Sequence, residues 1–188
     1  MKQLRVITGR ARGRKLKAPK GMETRPTSDR IKESLFNIIG DRIIDAIFLD
    51  LYAGTGAIGI EAISRGAGKS VFVESNLRTV KIIKENLELT GLAEQAEVSC
   101  RDVSSAIQML SKGERKFSII FLDPPYLKDL VQQTLLKLDE NHIIAPGGVI
   151  ITESSKLDVL PEHVGQLARF RQERYGDTVL SFYRETVM

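Results

Sequence analysis

A chain of 188 residues with 42% hydrophobic and 28% charged side chains has the size and balance of one α/β domain, which excludes wholesale disorder, collagen and coiled coil. A single cysteine, Cys100, excludes an internal disulfide and multi-cysteine zinc sites; with no apolar run near the roughly 18 to 20 residues that span a bilayer, and no secretory leader, a cytoplasmic protein is expected. The formal net charge of +4 is divided unevenly: residues 1–30 hold ten Lys and Arg against Glu23 and Asp29, so the remaining 158 residues are net −4.

That basic arm comes first in the chain. Each Lys or Arg set near a phosphate displaces a condensed counterion, so an acidic body with a basic arm is the footprint of a protein that meets a polyanion. A charge run of this kind is as easily a solvated tail, and it lacks the interleaved aromatics of a base-stacking platform. Gly9, Gly13, Pro19 and Gly21 argue against a continuous helix and for an irregular or partly extended segment.

After the arm, Thr27 or Ser28 can cap a helix whose apolar positions Ile31, Leu35, Ile38 and Ile39 share one face, with Gly40 as its stop. Residues 46–52 (AIFLDLY) read as a buried strand that runs into a glycine-rich turn and a helix to about Arg65. The alternation continues with a strand over 71–74, a helix over 77–90 with Leu77, Val80, Ile83 and Leu87 on one face, and a short strand over 97–101. A helix over 103–110, a strand over 117–122 (FSIIFL), a helix over 130–138 and a strand over 149–152 behind Pro146-Gly147-Gly148 follow. Alternating helices and continuously apolar strands predict a doubly wound, mostly parallel sheet. Segments 170–175 and 178–184 flank Gly176-Asp177, a two-residue turn signal that predicts an antiparallel C-terminal hairpin on its edge. Residues 1–40 are read as arm and helix of the same unit as the domain over 41–188. In such sheets ligands bind beyond the strand C-termini, at the switch point.

Two constellations fall at those termini. In D-L-Y-A-G-T-G-A-I-G, from Asp50 to Gly59, the strand ends in an acid and a helix begins near Gly56, so backbone N–H groups and a helix N-terminus face a ligand. Gly54, Gly56 and Gly59 also satisfy G-x-G-x-x-G, and Glu74 lies about 20 residues on, so a nicotinamide-binding oxidoreductase stays open. Asp50, however, sits where it would meet an ammonium group rather than a pyrophosphate. S-adenosylmethionine pairs such an ammonium with a ribose whose two hydroxyls Glu74 can accept. The bland alternative is a tight strand-to-helix turn. Asp102 can accept from an adenine amino group, or simply cap the helix that starts at Val103.

The second constellation is Asp123-Pro124-Pro125-Tyr126. The prolines stiffen the turn, so that the Asp123 carboxylate and the Pro124 carbonyl present two acceptors to a planar NH2 group. Pulling on both hydrogens of a nucleobase amine favours its pyramidal, nucleophilic form and takes up the developing positive charge, while Tyr126 stacks on the base. The plain alternative is a proline strand terminator. His142 and His163 stand alone, and no metal is expected.

These residues resemble the motifs of class I S-adenosylmethionine-dependent methyltransferases that act on exocyclic amines. More narrowly, VITGRARGRKLKAPKG, RPTSDRIKESLFNII, DLYAGTGAIGIEAISRGA, VFVESN and FLDPPY resemble the RsmD family of small-subunit ribosomal RNA guanine-N2 methyltransferases, over nearly the whole chain. The resemblance implies a Rossmann-like methyltransferase domain over 41–188. It implies cofactor contacts at Asp50, Tyr52, Ala53, Gly54, Thr55, Gly56, Glu74 and Asp102, and a guanine held by Asp123, Pro124, Pro125 and Tyr126. It further implies that Arg25, Thr27 and Arg30 lie over the cofactor or contact RNA, with Arg10, Arg12, Arg14 and Lys15 on the RNA side. The implied partner is ribosomal RNA in an assembling small subunit, met by a monomer. The D-P-P-Y quartet is shared with adenine-N6 and cytosine-N4 enzymes, and a non-enzymatic ribosome-binding module remains a rival from another class.

Overall fold

The computed structural model describes residues 4–19, 28–125 and 129–186. In chain order they form α1 (Asp29–Ile39), β1 (Ile47–Asp50), α2 (Ala57–Ser64), β2 (Lys69–Glu74), α3 (Leu77–Thr90), β3 (Ala96–Cys100) and α4 (Val103–Lys112). Then come β4 (Phe117–Leu122), α5 (Leu130–Asn141), β5 (Ile144–Ser155), β6 (His163–Val164), β7 (Leu167–Tyr175) and β8 (Thr178–Glu185). The strands make one eight-stranded sheet in the order β3-β2-β1-β4-β5-β8-β7-β6. The pairs from β3 to β5 are parallel, and β8, β7 and β6 add antiparallel beyond β5. Chain order reverses between β1 and β4, which makes the gap at their C-terminal ends the switch point.

Local chemistry sets the boundaries. Ser28 accepts from the Ile31 N–H, Asn76 from the Arg78 and Thr79 N–H groups, and Asp102 from the Ser105 N–H, capping α1, α3 and α4. One face of the sheet is covered by α4 and α5, over a core that includes Leu49, Leu51, Val73, Ile120, Leu122 and Ile150. The other is covered by α1 and α2 over Phe48, Phe121, Ile151 and Phe182, and by α3 and the arm around Ile60, Ile63, Phe72 and Ile83. Among the described residues no helix is long and apolar enough to cross a membrane.

Three readings change. The last parallel strand is far longer than 149–152, because Phe117 pairs with Ile144 and Ile119 with Val149, and Pro146-Gly147-Gly148 forms a bulge inside β5 rather than its start. A short edge strand, β6, pairs His163 and Val164 with Ala168 and Leu167. Leu77 is exposed, at the N-terminal end of α3, while Val80, Ile83 and Leu87 are buried as expected.

Over residues 4–19 the arm is neither a helix nor a loose tail. Arg5 and Lys15 form an antiparallel bridge, and Val6, Ala11 and Leu16 are buried against α2 and α3. The Glu61 carboxylate accepts from the Ile7 and Thr8 N–H groups, and Ser64 accepts through Oγ from the Ala11 N–H and through its carbonyl from the Arg10 N–H. At Gly9, which has φ +87°, an added Cβ would fall 1.8 Å from the Ser64 carbonyl oxygen, so only glycine allows this approach.

Candidate active site

The C-terminal ends of β1, β2 and β4, together with the residues just beyond β3, open onto one cavity of about 790 Å³. Its walls include Asp50, Tyr52, Ala53, Gly54 and Thr55 from the first constellation, Glu74 and Asp102 from the neighbouring strand ends, and Asp123, Pro124 and Pro125 from the second. Two loops more than 60 residues apart in sequence thus share one space.

Asp50 ends β1 and is buried. Its Oδ2 accepts from the Gly59 N–H at 3.2 Å. Burial pushes its carboxyl up to about 7; the bond from Gly59 opposes the shift, and the charge of Glu74 adds to it. Gly59 can approach because it lacks a side chain: a Cβ there would lie 2.3 Å from the Phe72 ring, so its part is helix-to-strand packing. Gly56 sets the N-cap of α2 in the left-handed region and stands behind the cavity wall rather than in it.

Glu74 ends β2. Its Oε2 accepts from the Gly54 N–H at 3.1 Å and its Oε1 from the Asn76 N–H at 2.8 Å, so this acid shapes the glycine loop and keeps lone pairs for a ligand. Asp102 caps α4 through the Ser105 N–H at 2.9 Å, a bond that lowers its pKa, while still lining the cavity. Capping and ligand contact are therefore compatible there.

On the other side, Leu122 pairs with Thr152, so Asp123 and Glu153 stand side by side one step beyond β4 and within β5. They continue the face that carries Phe121 and Ile151, as Asp50 continues the face of Phe48. Burial first, then the charges of Glu153 and Asp50, hold the Asp123 carboxyl well above the usual carboxylate range. A cavity with acids so placed favours cations and polarised N–H donors, which relieve the repulsion. Pro124 is buried and Pro125 exposed. Tyr126 lies outside the described residues, as do Arg25 and Thr27.

The sequence reading missed the wall supplied by α5. Leu130, Gln133, Thr134 and Lys137 recur at i, i+3, i+4 and i+7 and face the cavity; Thr134 Oγ1 meets the Tyr52 hydroxyl at 2.8 Å, and Lys137 donates to Ser104 Oγ at 2.8 Å. Periodicity with polar members was the available signal. It also missed Pro19, which brings the end of the arm to the cavity. Arg10, Arg12, Arg14 and Lys15 are exposed on the arm and Arg30 on the first turn of α1, none of them in the cavity wall. Arg10 donates to Gln95 Oε1.

The family model described as conserved hypothetical protein 95 matches residues 4–184. The Bacillus subtilis protein YlbH is 40% identical over 182 residues, 97% of this chain and 99% of the relative. Ribosomal RNA small subunit methyltransferase D of Escherichia coli is 32% identical over 97% of this chain and 90% of its own length. Among solved structures, the Escherichia coli protein yhhF superposes with a TM-score of 0.82 at 30% identity, covering 100% of both chains. The expected doubly wound fold with its antiparallel ending is the class I methyltransferase fold.

Proposed function

This chain belongs to the RsmD family, matched by the conserved hypothetical protein 95 model, and from that premise we propose that it methylates the exocyclic N2 amine of a guanine in small-subunit ribosomal RNA. The coarser part, S-adenosylmethionine-dependent methyl transfer to ribosomal RNA, follows the family and the name of the Escherichia coli relative. That the acceptor is an exocyclic amine rests on one observation, that the acid-tipped glycine loop and the Asp123-Pro124-Pro125 turn line the same cavity, and the choice of guanine N2 rests on the resemblance to the RsmD family. The cavity's volume lies within the roughly 300 to 1,000 Å³ of small-molecule sites.

In this reading Asp50 accepts the ammonium of the methionine portion, Glu74 the ribose hydroxyls and Asp102 the adenine amine. S-adenosylmethionine supplies a methyl group on a sulfonium, a leaving group that needs no further activation. Asp123 and the Pro124 carbonyl would hold the two hydrogens of the guanine amine, which would turn the nitrogen lone pair toward the methyl donor. With that donor bound, the positive charge that develops on the amine nitrogen would lie beside Asp123, which would stabilise it and accept the released proton before passing it to solvent. The arm, with Arg10, Arg12, Arg14 and Lys15, holds the RNA phosphates.

The test is to incubate the protein with tritiated S-adenosylmethionine and, separately, naked small-subunit ribosomal RNA, small-subunit particles and DNA, then to identify the labelled nucleoside. Label in N2-methylguanosine from either RNA sample is expected. Label in an adenine or cytosine amine would replace the guanine assignment, and none in any nucleic acid would overturn the proposal.

A further inference from the structure

Asn86 lies in the middle of α3, is fully buried, and takes no part in the chemistry above. Its Oδ1 accepts from the Lys17 N–H at 2.7 Å, while its Nδ2 donates to the Lys17 carbonyl at 3.1 Å and to the Thr55 carbonyl at 2.9 Å. The orientation of the amide is dictated by its partners: a backbone N–H can only donate, so the oxygen faces Lys17 and both amide hydrogens face carbonyls. With Lys17 the side chain copies a strand-to-strand pair, binding both backbone groups of one arm residue. Its other hydrogen reaches the residue between Gly54 and Gly56, in the loop whose Gly54 N–H Glu74 holds. Thr55 lines the cavity, and so does Pro19, two residues beyond Lys17.

We propose that Asn86 is a positioning residue that couples the basic arm to the glycine loop: one side chain sets Pro19 and Thr55 as adjoining walls of the cavity, so that a cofactor in the cavity and RNA on the arm strengthen each other's binding. This rests on the reading of the arm and cavity given under Proposed function. The physical ground is that a fully satisfied buried amide has no alternative partners within the fold, so moving the arm's end or the loop leaves a buried donor or acceptor unmet. A ligand that holds either segment in place thereby favours the arrangement the other ligand needs, and the effect is reciprocal. The other side chains that hold the arm, Glu61, Ser64, Lys32, Asp29 and Gln95 on its first half and Glu85 on the Lys17 ammonium, make no bond to the glycine loop among the described residues.

The test is a linkage measurement on the full chain. Titration calorimetry measures S-adenosylhomocysteine binding to wild type, Asn86→Ala and Asn86→Asp, each with and without saturating naked small-subunit ribosomal RNA. Wild type is expected to bind S-adenosylhomocysteine about fivefold tighter with RNA present, about 1 kcal/mol. Asn86→Ala is expected to bind each ligand alone and lose the fivefold factor, as is Asn86→Asp, whose second oxygen faces two carbonyls. An unchanged wild-type affinity on adding RNA overturns the coupling, and a factor retained in either variant overturns the role of Asn86. Should neither variant fold, hydrogen exchange on wild type decides: S-adenosylhomocysteine should slow the Lys17 amide, and an unaltered rate refutes the inference. Wild type that binds no S-adenosylhomocysteine would instead remove the methyltransferase reading itself.

Discussion

The arm and the cavity both depend on charge, yet they place it in opposite media. On the arm Arg10, Arg12, Arg14, Lys15 and Lys17 are exposed, Arg10 meeting Gln95 and Lys17 meeting Glu85 at the surface, and the buried parts are backbone and the small apolar set Val6, Ala11 and Leu16. In the cavity, burial lifts the carboxyls of Asp50 and Asp123 above their ordinary range. An exposed charge costs little and gains little singly, so in the proposed function the arm would act by number and by salt-dependent attraction. A buried carboxyl is costly unless something meets it, so in the proposed function each one in the cavity would meet a particular ligand atom.

The contrast predicts large single-residue effects in the cavity and small ones on the arm. Asp123→Ala should lower turnover about a thousandfold, about 4 kcal/mol of barrier, with S-adenosylhomocysteine affinity kept within about twofold. Steady-state kinetics beside calorimetry read both quantities, and a rate near wild type would remove Asp123 from the chemistry.

Glu61→Gln probes the one place where the two regions use the same device. Glu61 lies 3.9 Å from the buried Lys32 ammonium and 2.8 Å from Arg65, besides accepting from Ile7 and Thr8. Losing its charge should cost about 3 kcal/mol and lower Tm by about 6 to 12 °C. Burial already pulls the Lys32 pKa down, with Glu61 opposing. Without Glu61 the folded lysine releases its proton more readily than the unfolded one, so the deficit should shrink as pH rises. A thermal melt unchanged by the substitution would mean the arm's seat is not electrostatic.

Asp50 gives the pH test. Its carboxyl, raised to about 7 by burial with Glu74 adding, must ionise to receive an ammonium. S-adenosylhomocysteine affinity should therefore climb up to about tenfold per pH unit toward 7 and level off above it, and Asp50→Asn should bind weakly with a flat profile. For the ligand-free protein the sign is reversed. The folded state keeps a proton that the unfolded chain gives up near 3.8, so this group's contribution to stability falls as pH rises from about 4 to 7.

The smallest effect belongs to the arm. Arg12→Ala should weaken RNA binding a few-fold for all sequences alike and reduce the slope of log affinity against log salt by about one, leaving S-adenosylhomocysteine binding untouched. Deleting residues 1–20 is a poorer probe, since it would also withdraw Val6 and Leu16 from the core and strip two N–H donors from Glu61.

Much of the frame was legible in local sequence. The limits of α3 and β4 follow from Asn76, Gly91 and a six-residue apolar run, all signals within one element. β5 was misjudged because Pro146-Gly147-Gly148 reads as a break, whereas β4 accommodates it as a bulge. In the site, Asp50, Glu74 and Asp123 could be found because each ends a strand beside glycine, a helix cap or proline. The partners of Glu61 and Asn86 could not, being 53 to 69 residues away on the arm. A lone glutamate in the otherwise apolar AIGIEAIS was the only hint of the former.

The amino-acid order alone determined the alternation of strands and helices, the acid at each strand end and the basic arm, because these depend on short-range periodicity, capping and composition. Tertiary structure decided that the two loops face one cavity, that burial, with neighbouring carboxylates adding, raises the pKa of Asp50 and of Asp123, and that residues 4–19 of the arm are seated rather than free. Those properties arise from distance and dielectric in three dimensions, and no window along the chain contains them.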